Sequence, residues 1–298
     1  MKNSIKQTAK TICFVFLALL FYTNNPVLYS MEWPLESGII SRNFGWNNQG
    51  QPNLGINFRA SGNIEAVDHG ELLFKSEGYI NASRLPSPLG SWVALDHGEG
   101  IISVYSRMSP DRSHVPDNVR NSSIIGQAGS SGWSNENGLY FSLYDRKERR
   151  WINPVMIITP LPDPGAPFIQ AVRLRDNQGR LHNLAQIRNI NQGRYTILVE
   201  SSRTFTPAQN RPALAPFRII SLVNGTETGM LNFETYSARD GVLMVYRNGL
   251  VPVDQIYSPY PAYELGTVNF SRGQVTLEII SQDAGGNSRN SIFRFMVE

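Results

Sequence analysis

Ser91-Trp92-Val93-Ala94-Leu95-Asp96-His97-Gly98-Glu99-Gly100-Ile101-Ile102-Ser103-Val104-Tyr105 is the stretch that decides the fold of the first half of this 298-residue chain. Side-chain character alternates through Trp92–Asp96, the turn Asp96–Gly100 carries two glycines, and an apolar run resumes at once with Ile101-Ile102. Alternation on either side of a short Gly-containing loop predicts a β-hairpin. Outward from it, Gly70–Phe74 and Leu139–Tyr144 read as further short strands, and no segment from Trp33 to about Thr159 keeps an apolar period of 3.6 residues. The expectation is an all-β domain over residues 31–159.

Pro160-Leu161-Pro162-Asp163-Pro164-Gly165-Ala166-Pro167 then breaks the pattern. Four prolines in eight residues remove backbone donors and fix φ, so residues 160–167 are expected to form a short, stiff linker. Beyond it, Phe168–Leu174, Tyr195–Glu200, Phe217–Val223, Gly241–Tyr246, Gly273–Ile280 and Ser291–Val297 read as strands. Arg194–Val199 and Gln274–Ile279 are rich in β-branched and aromatic residues. About seven strands separated by turn signals predict an immunoglobulin-like β-sandwich over 168–298. The turn Asp283-Ala284-Gly285-Gly286-Asn287 before the last strand resembles those of bacterial immunoglobulin-like surface domains. Residues 175–192 and 224–240 show no regular pattern, and no strand is assigned there.

The first thirty residues have another character. Lys2, Lys6 and Lys10 precede an apolar run of eleven residues, Ile12–Tyr22. That length suits a secretory signal and is short for a bilayer span. Ser30 is the expected last residue before cleavage, with an uncleaved membrane anchor as the alternative. Of the 27 basic residues three lie in this segment, leaving 24 against 24 acidic ones. The formal charge of +3 therefore belongs to the signal, and charge gives no reason to expect a nucleic-acid partner. The single cysteine, Cys13, also falls there, so the remainder has neither disulfides nor thiolate ligands.

Several motifs fall in one order along residues 33–154. They are Trp33-Pro34-Leu35 with Arg42-Asn43-Phe44-Gly45, Asn53-Leu54-Gly55-Ile56-Asn57-Phe58, and Val93–Gly100 followed by Val104-Tyr105-Ser106-Arg107-Met108. The Gly-rich turn Ile125–Gly132, Gly138-Leu139-Tyr140-Phe141-Ser142 and Asn153-Pro154 complete the series. Together they resemble the LytM/lysostaphin-type zinc endopeptidases, which cleave peptide cross-links in bacterial cell walls. The resemblance implies that His and Asp should stand at 53 and 57 and a second zinc-binding His at 140. It further implies histidines at 107 and 138 to polarise water and the developing oxyanion. The residues present are Asn53, Asn57, Tyr140, Arg107 and Gly138, so all five positions differ.

Zinc needs imidazole, thiolate or carboxylate donors. Neutral amide oxygens and a protonated phenol are poor substitutes, and without the metal nothing lowers the pKa of water toward about 7. The expectation is therefore no catalytic, cofactor or metal site. The four histidines offer no replacement. His69 and His97 each lie in an Asp-His-Gly turn, His114 in a polar loop, and His182 in the second half. Gly-x-Ser-x-Gly and phosphate-loop signatures are both absent from the sequence. Asn53, Asn57, Arg107, Gly138 and Tyr140 are the candidate groove contacts. An arginine with amides and a phenol can hydrogen-bond peptide or carboxylate groups, and equally these residues can fill space and satisfy one another. Trp46, Trp92 and Trp133 are candidates for the rim, with core packing the expected role of Trp92.

The function expected from the resemblance is that of a non-catalytic, peptidase-like protein exported to the periplasm, envelope or exterior. Its implied partner is peptidoglycan or a cell-wall hydrolase such as an amidase. Two rivals stand beside it. One is a working zinc endopeptidase with an unrecognised ligand set, and the other is a structural or adhesive surface protein served by its second domain.

Overall fold

The structure is a computed structural model that describes residues 31–77, 87–110, 114–158, 166–203, 213–258 and 261–298. The expected signal 1–30 with Cys13 and most of the Pro-rich stretch 160–167 lie outside the described residues. Met31–Glu298 makes one compact unit.

Among its described residues the first half has twelve strands: β1 Ile39–Arg42, β2 Asn47–Asn48, β3 Gln51–Pro52, β4 Ile56–Arg59, β5 Asn63–Glu65, β6 Gly70–Ser76, β7 Ser91–Asp96, β8 Ile101–Met108, β9 Asn118–Val119, β10 Ile124–Gln127, β11 Gly138–Asp145 and β12 Arg150–Ile152. The opening stretch forms the hairpin β7–β8, with Val93 opposite Tyr105 and Leu95 opposite Ser103. Its turn places Gly98 and Gly100 at φ of 79° and 90°, in the left-handed region that glycine enters without a Cβ clash. β8 pairs with β11, β11 with β4 and β4 with β1. One face of this sheet carries Val93, Leu95, Tyr105, Leu139, Phe141, Ile56 and Phe58, all buried. Alternate residues point to opposite faces of a strand, so the intervening positions make up the second face.

Residues 168–298 supply β13 Phe168–Asp176, β14 Leu181–Asn183, β15 Asn189–Ile190, β16 Gly193–Ser202, β17 Arg218–Val223, β18 Thr226–Arg239, β19 Val242–Arg247, β20 Leu250–Pro252, β21 Tyr263–Phe270, β22 Gly273–Gln282 and β23 Ser288–Val297. Sheet β14-β13-β16-β21 packs over β15-β23-β22-β17-β18 in a β-sandwich. Its core includes Val172, Leu174, Ile197, Val199, Ile219, Leu231, Leu277 and Ile279.

A continuous sheet joins the two halves. β12 pairs with β18 through Arg150–Ser237, Trp151–Tyr236 and Ile152–Thr235. The loop after β1 also enters the sandwich core, where Phe44 is 1% exposed and its ring lies 5.1 Å from that of Tyr236. Asn43 Nδ2 donates to the Ala215 carbonyl at 2.9 Å, and its Oδ1 accepts from Ala215 N at 2.7 Å. The Gly45 carbonyl accepts from Tyr257 Oη at 2.8 Å. Asn153, which caps the short 3-10 turn Pro154–Met156, donates through Nδ2 to the Phe233 carbonyl at 2.9 Å. These buried polar groups are paired across the join, as burial requires.

His97 does more than sit in a turn. Its Nδ1 lies 2.7 Å from the His69 carbonyl and its Nε2 2.7 Å from Ser103 Oγ. A carbonyl can only accept, so Nδ1 carries the proton and Nε2 accepts from the Ser103 hydroxyl. The ring thus ties both Asp-His-Gly turns together in its neutral form. Burial lowers the His97 pKa below its ordinary 6.5, so the unfolded chain takes up a proton that the folded one resists. Stability from this group is complete above pH about 6.5 and is lost as pH falls below it. The melting temperature is expected to drop between about pH 7.5 and 5.5, and to drop less in His97→Gln. Equal drops in a pH series of thermal melts would show that His97 contributes nothing.

Candidate functional site on the second face of the first-half sheet

Strand register sets a row of side chains across the face opposite the core. Arg42 on β1 stands beside Asn57 on β4, Asn57 beside Tyr140 on β11, Tyr140 beside Ser106 on β8, and Ser106 beside Trp92 on β7. Residues paired in an antiparallel ladder share a face, so these five point the same way. The row is flanked by two bulges. Ser41 is skipped between Ile40 and Arg42, and Arg107 between Ser106 and Met108. A bulge re-aims the side chains next to it, and here each bulge lies at an arginine.

Arg107 takes φ of 67°, a left-handed conformation that is uncommon for a residue with a Cβ. Its backbone N–H is held by the Leu89 carbonyl at 2.8 Å, and its guanidinium lies over the Tyr140 ring at 5.4 Å. Burial lowers the pKa of this guanidinium, the Tyr140 phenol opposes that shift, and Arg42 adds to it; the group stays protonated. Tyr140 is partly buried, and burial pushes its phenol up to about 12 against the pull of Arg107. It is a neutral hydroxyl at physiological pH.

Asn57 is 4% exposed, and its Oδ1 is buried without a hydrogen-bond partner. Asn53 is engaged with its own loop. The Asn53 Nδ2 donates to the carbonyls of Asn43 at 3.0 Å and Gly55 at 2.8 Å, bracing the loop between β1 and β4. Gly138 pairs with Arg59 at the start of β11. A Cβ placed on it would lie 1.8 Å from the Phe58 carbonyl oxygen. Of the five candidate positions, then, Asn57, Arg107 and Tyr140 come together. Asn53 is spent on its loop, and Gly138 marks a close approach of two strands.

Two further residues join the row, Arg42 without a local sequence signal and Trp92 from among the rim candidates. Arg42 takes its place through register, a long-range property, and its guanidinium lies 5.1 Å from the Trp46 ring. Trp92, for which core packing is the sequence expectation, lies instead on this second face, half-buried and stacked on Phe74 with ring centroids 4.6 Å apart. Alternation alone fixes which residues share a face with Trp92, and not which of the two faces is covered. Trp46 packs against the sandwich core and Trp133 is 73% exposed.

The residues present do not fit the zinc ion that the family resemblance implies. Asn57 offers one neutral oxygen, Tyr140 a phenol held protonated by burial, and Asn53 an amide committed to its own loop. Among the described residues, no group of three or more His, Cys, Asp or Glu side chains is placed to hold a metal. What the arrangement offers is two guanidiniums and a phenol beside a buried amide oxygen. The carboxylate that acts on Arg107, Glu136, is itself paired with Arg59 at 3.1 Å.

Residues 51–154 match the model of peptidase family M23, and a separate family model covers residues 166–298. Over 113 residues the chain is 28% identical to the cell division protein DipM of Caulobacter vibrioides, a stretch making up 37% of this chain and 17% of that protein. The chain thus spans about a sixth of the length of the curated relative it matches. Among solved structures it is similar to a mutant catalytic domain of the prophage-encoded M23 protein EnpA from Enterococcus faecalis. The identity is 22% with a TM-score of 0.35, covering 42% of this chain and 95% of that one. It is also similar to the SpoIIQ–SpoIIIAH pore-forming complex, at 18% identity and a TM-score of 0.35 over 43% of this chain and 90% of that one. The catalytic domain of lysostaphin from Staphylococcus simulans matches at 23% identity and a TM-score of 0.30, over 35% and 77% of the respective chains.

Proposed function

We propose that this chain, whose residues 51–154 carry a domain of peptidase family M23, is a non-catalytic member of that family that binds the cell wall or regulates a cell-wall hydrolase. One observation carries the reading. Where the family resemblance calls for zinc ligands, this chain has Asn57 and a neutral Tyr140 covered by the Arg107 guanidinium. A cation so placed repels a metal ion, and amide and phenol cannot compete with imidazole and carboxylate for it. What remains is a surface suited to holding peptide or carboxylate groups.

In this reading residues 1–30 are a cleaved signal and the protein works outside the cytoplasm. The peptidase-like domain spans 31–159, the Pro-rich linker 160–167, and an immunoglobulin-like sandwich 168–298. No helix among the described residues is long and apolar enough to cross a membrane. Two measurements test the reading. Metal analysis of gently purified protein is expected to give far less than one zinc per chain, and chelators to change nothing. Co-sedimentation with cell-wall sacculi and pull-down with purified amidases are expected to retain the protein in at least one case. Stoichiometric zinc with chelator-sensitive hydrolysis of wall peptides would favour the working-enzyme rival, and absence of both interactions would sink the proposal.

A further inference from the structure

β23 pairs with β22 along all 10 of its residues without a bulge, from Ser288 opposite Gln282 to Val297 opposite Gly273. On its other side β15 reaches only Met296 and Val297. The Met296 N–H donates away from β22, to the Arg188 carbonyl at 2.8 Å. Backbone groups in an antiparallel strand change sides residue by residue, so Ser288, Asn290, Ile292 and Arg294 also aim N–H and C=O away from β22. Among the described residues none of these outward groups has a backbone partner. All four residues are exposed, Ile292 at 48%. Other edges among the described residues are short or broken. β1 and β14 span 4 and 3 residues, and β6 and β21 bulge at Leu73 and Leu265. A long, straight, uncovered edge is a template for another strand, and chains that avoid such pairing commonly interrupt it with proline or a bulge. Ser288–Arg294 has neither.

We propose that this free edge of β23 pairs with the same edge of a second copy of this chain, antiparallel about a two-fold axis at Ser291. The uncovered stretch Ser288–Arg294 is centred on Ser291, so this register engages all of it and stops short of the residues that β15 covers. Asn290 then faces Ile292 of the second copy and Ser288 faces Arg294, with main-chain bonds running both ways at each pair. Charge favours the same arrangement. The only charged side chains of the stretch are Arg289 and Arg294, and like charges placed directly opposite are destabilising. A parallel, in-register pairing would set each arginine beside its copy. The antiparallel one sets Arg294 against Ser288 and Arg289 against Phe293, whose ring face attracts a cation; Arg289 already lies over the Phe168 ring of its own chain at 5.6 Å. A foreign strand would have to bring a matching length and charge pattern, and the second copy carries both. Because the same patch serves both copies, the contact closes on itself as a dimer.

Analytical ultracentrifugation of the purified chain is expected to show a concentration-dependent equilibrium between monomer and dimer. Ile292→Pro removes one outward N–H and no bond to β22, so it is expected to weaken association about tenfold or more while circular dichroism stays that of the wild type. A second comparison leaves every edge N–H in place. In the proposed register Ser291 faces its own copy with about 4.5 Å between Cα atoms, which brings the two Cβ atoms within disulfide reach. In a Cys13→Ser chain, mild oxidation is expected to convert Ser291→Cys to a covalent dimer, and to do so at least tenfold more slowly for Asn290→Cys, which faces Ile292. The proposal is overturned if the wild type is a monomer at every concentration or a larger oligomer. It is overturned equally if folded Ile292→Pro associates normally, or if Ser291→Cys cross-links no faster than Asn290→Cys. Should Ile292→Pro fail to fold, the cross-linking comparison decides alone.

Discussion

Phe44→Ala is expected to destabilise the whole of residues 31–298 by about 3–5 kcal/mol, the usual cost of emptying a buried aromatic site. Against a typical total of roughly 5–15 kcal/mol, that is enough to leave a marginal protein. Phe44 belongs to the first half by sequence and to the sandwich core by position, 1% exposed and in contact with Tyr236. Its neighbour Gly45 takes φ of 80°, and a Cβ there would lie 2.9 Å from the Phe233 ring. The loop is thus gripped from the side-chain and the backbone directions at once, with the Tyr257 hydroxyl on the Gly45 carbonyl. Because β12 and β18 also share a ladder, loosening the loop loosens the join. Urea unfolding followed by tryptophan fluorescence and far-UV circular dichroism should give one transition in the wild type and one, earlier, in the variant. If the two halves unfold separately and only the sandwich is weakened, the rigid join is refuted.

The same contacts explain what the sequence could reveal. Strands with unbroken alternation are legible: β7 and β8 from their hairpin, β22 from Val275-Thr276-Leu277-Glu278-Ile279. β18, the fourteen-residue strand that joins the halves, falls in the stretch 224–240 that shows no regular pattern. Its buried positions Leu231, Phe233 and Tyr236 change spacing at the bulge between Asn232 and Tyr236, which destroys the period of two. Asn232 is buried there among them, further blurring the signal. At the site, the loss of all five residues that the family resemblance demands is visible in the sequence, because it is a matter of residue type. The roles taken up instead are not visible. Asn53 bracing a loop and Arg42 joining Asn57 both depend on which strands become neighbours. A one-residue change of register would turn the row to the other face.

Gly138 gives the sharpest test of whether the backbone at this position admits a side chain. β4 and β11 approach so closely that an added Cβ would sit 1.8 Å from the Phe58 carbonyl oxygen and 2.9 Å from its carbon. These are backbone atoms, which no rotamer change can move aside. Gly138→Ala is therefore expected to cost about 3 kcal/mol, the upper end for overpacking, and Gly138→His at least as much, measured as a shift in the urea midpoint. Tyr140→His, two residues on and partly buried, removes atoms instead of adding them. It forfeits the Arg107 contact, worth about 0.5–1 kcal/mol for a cation over an aromatic ring, and should leave the fold intact. The asymmetry separates two accounts of the missing histidines. If residue types alone had changed, both substitutions would be tolerated. If the two strands lie too close at Gly138 for any Cβ, Tyr140→His will be accepted and Gly138→His refused. A soluble Gly138→His protein as stable as the wild type would show that the space remains and that only the side chains were lost.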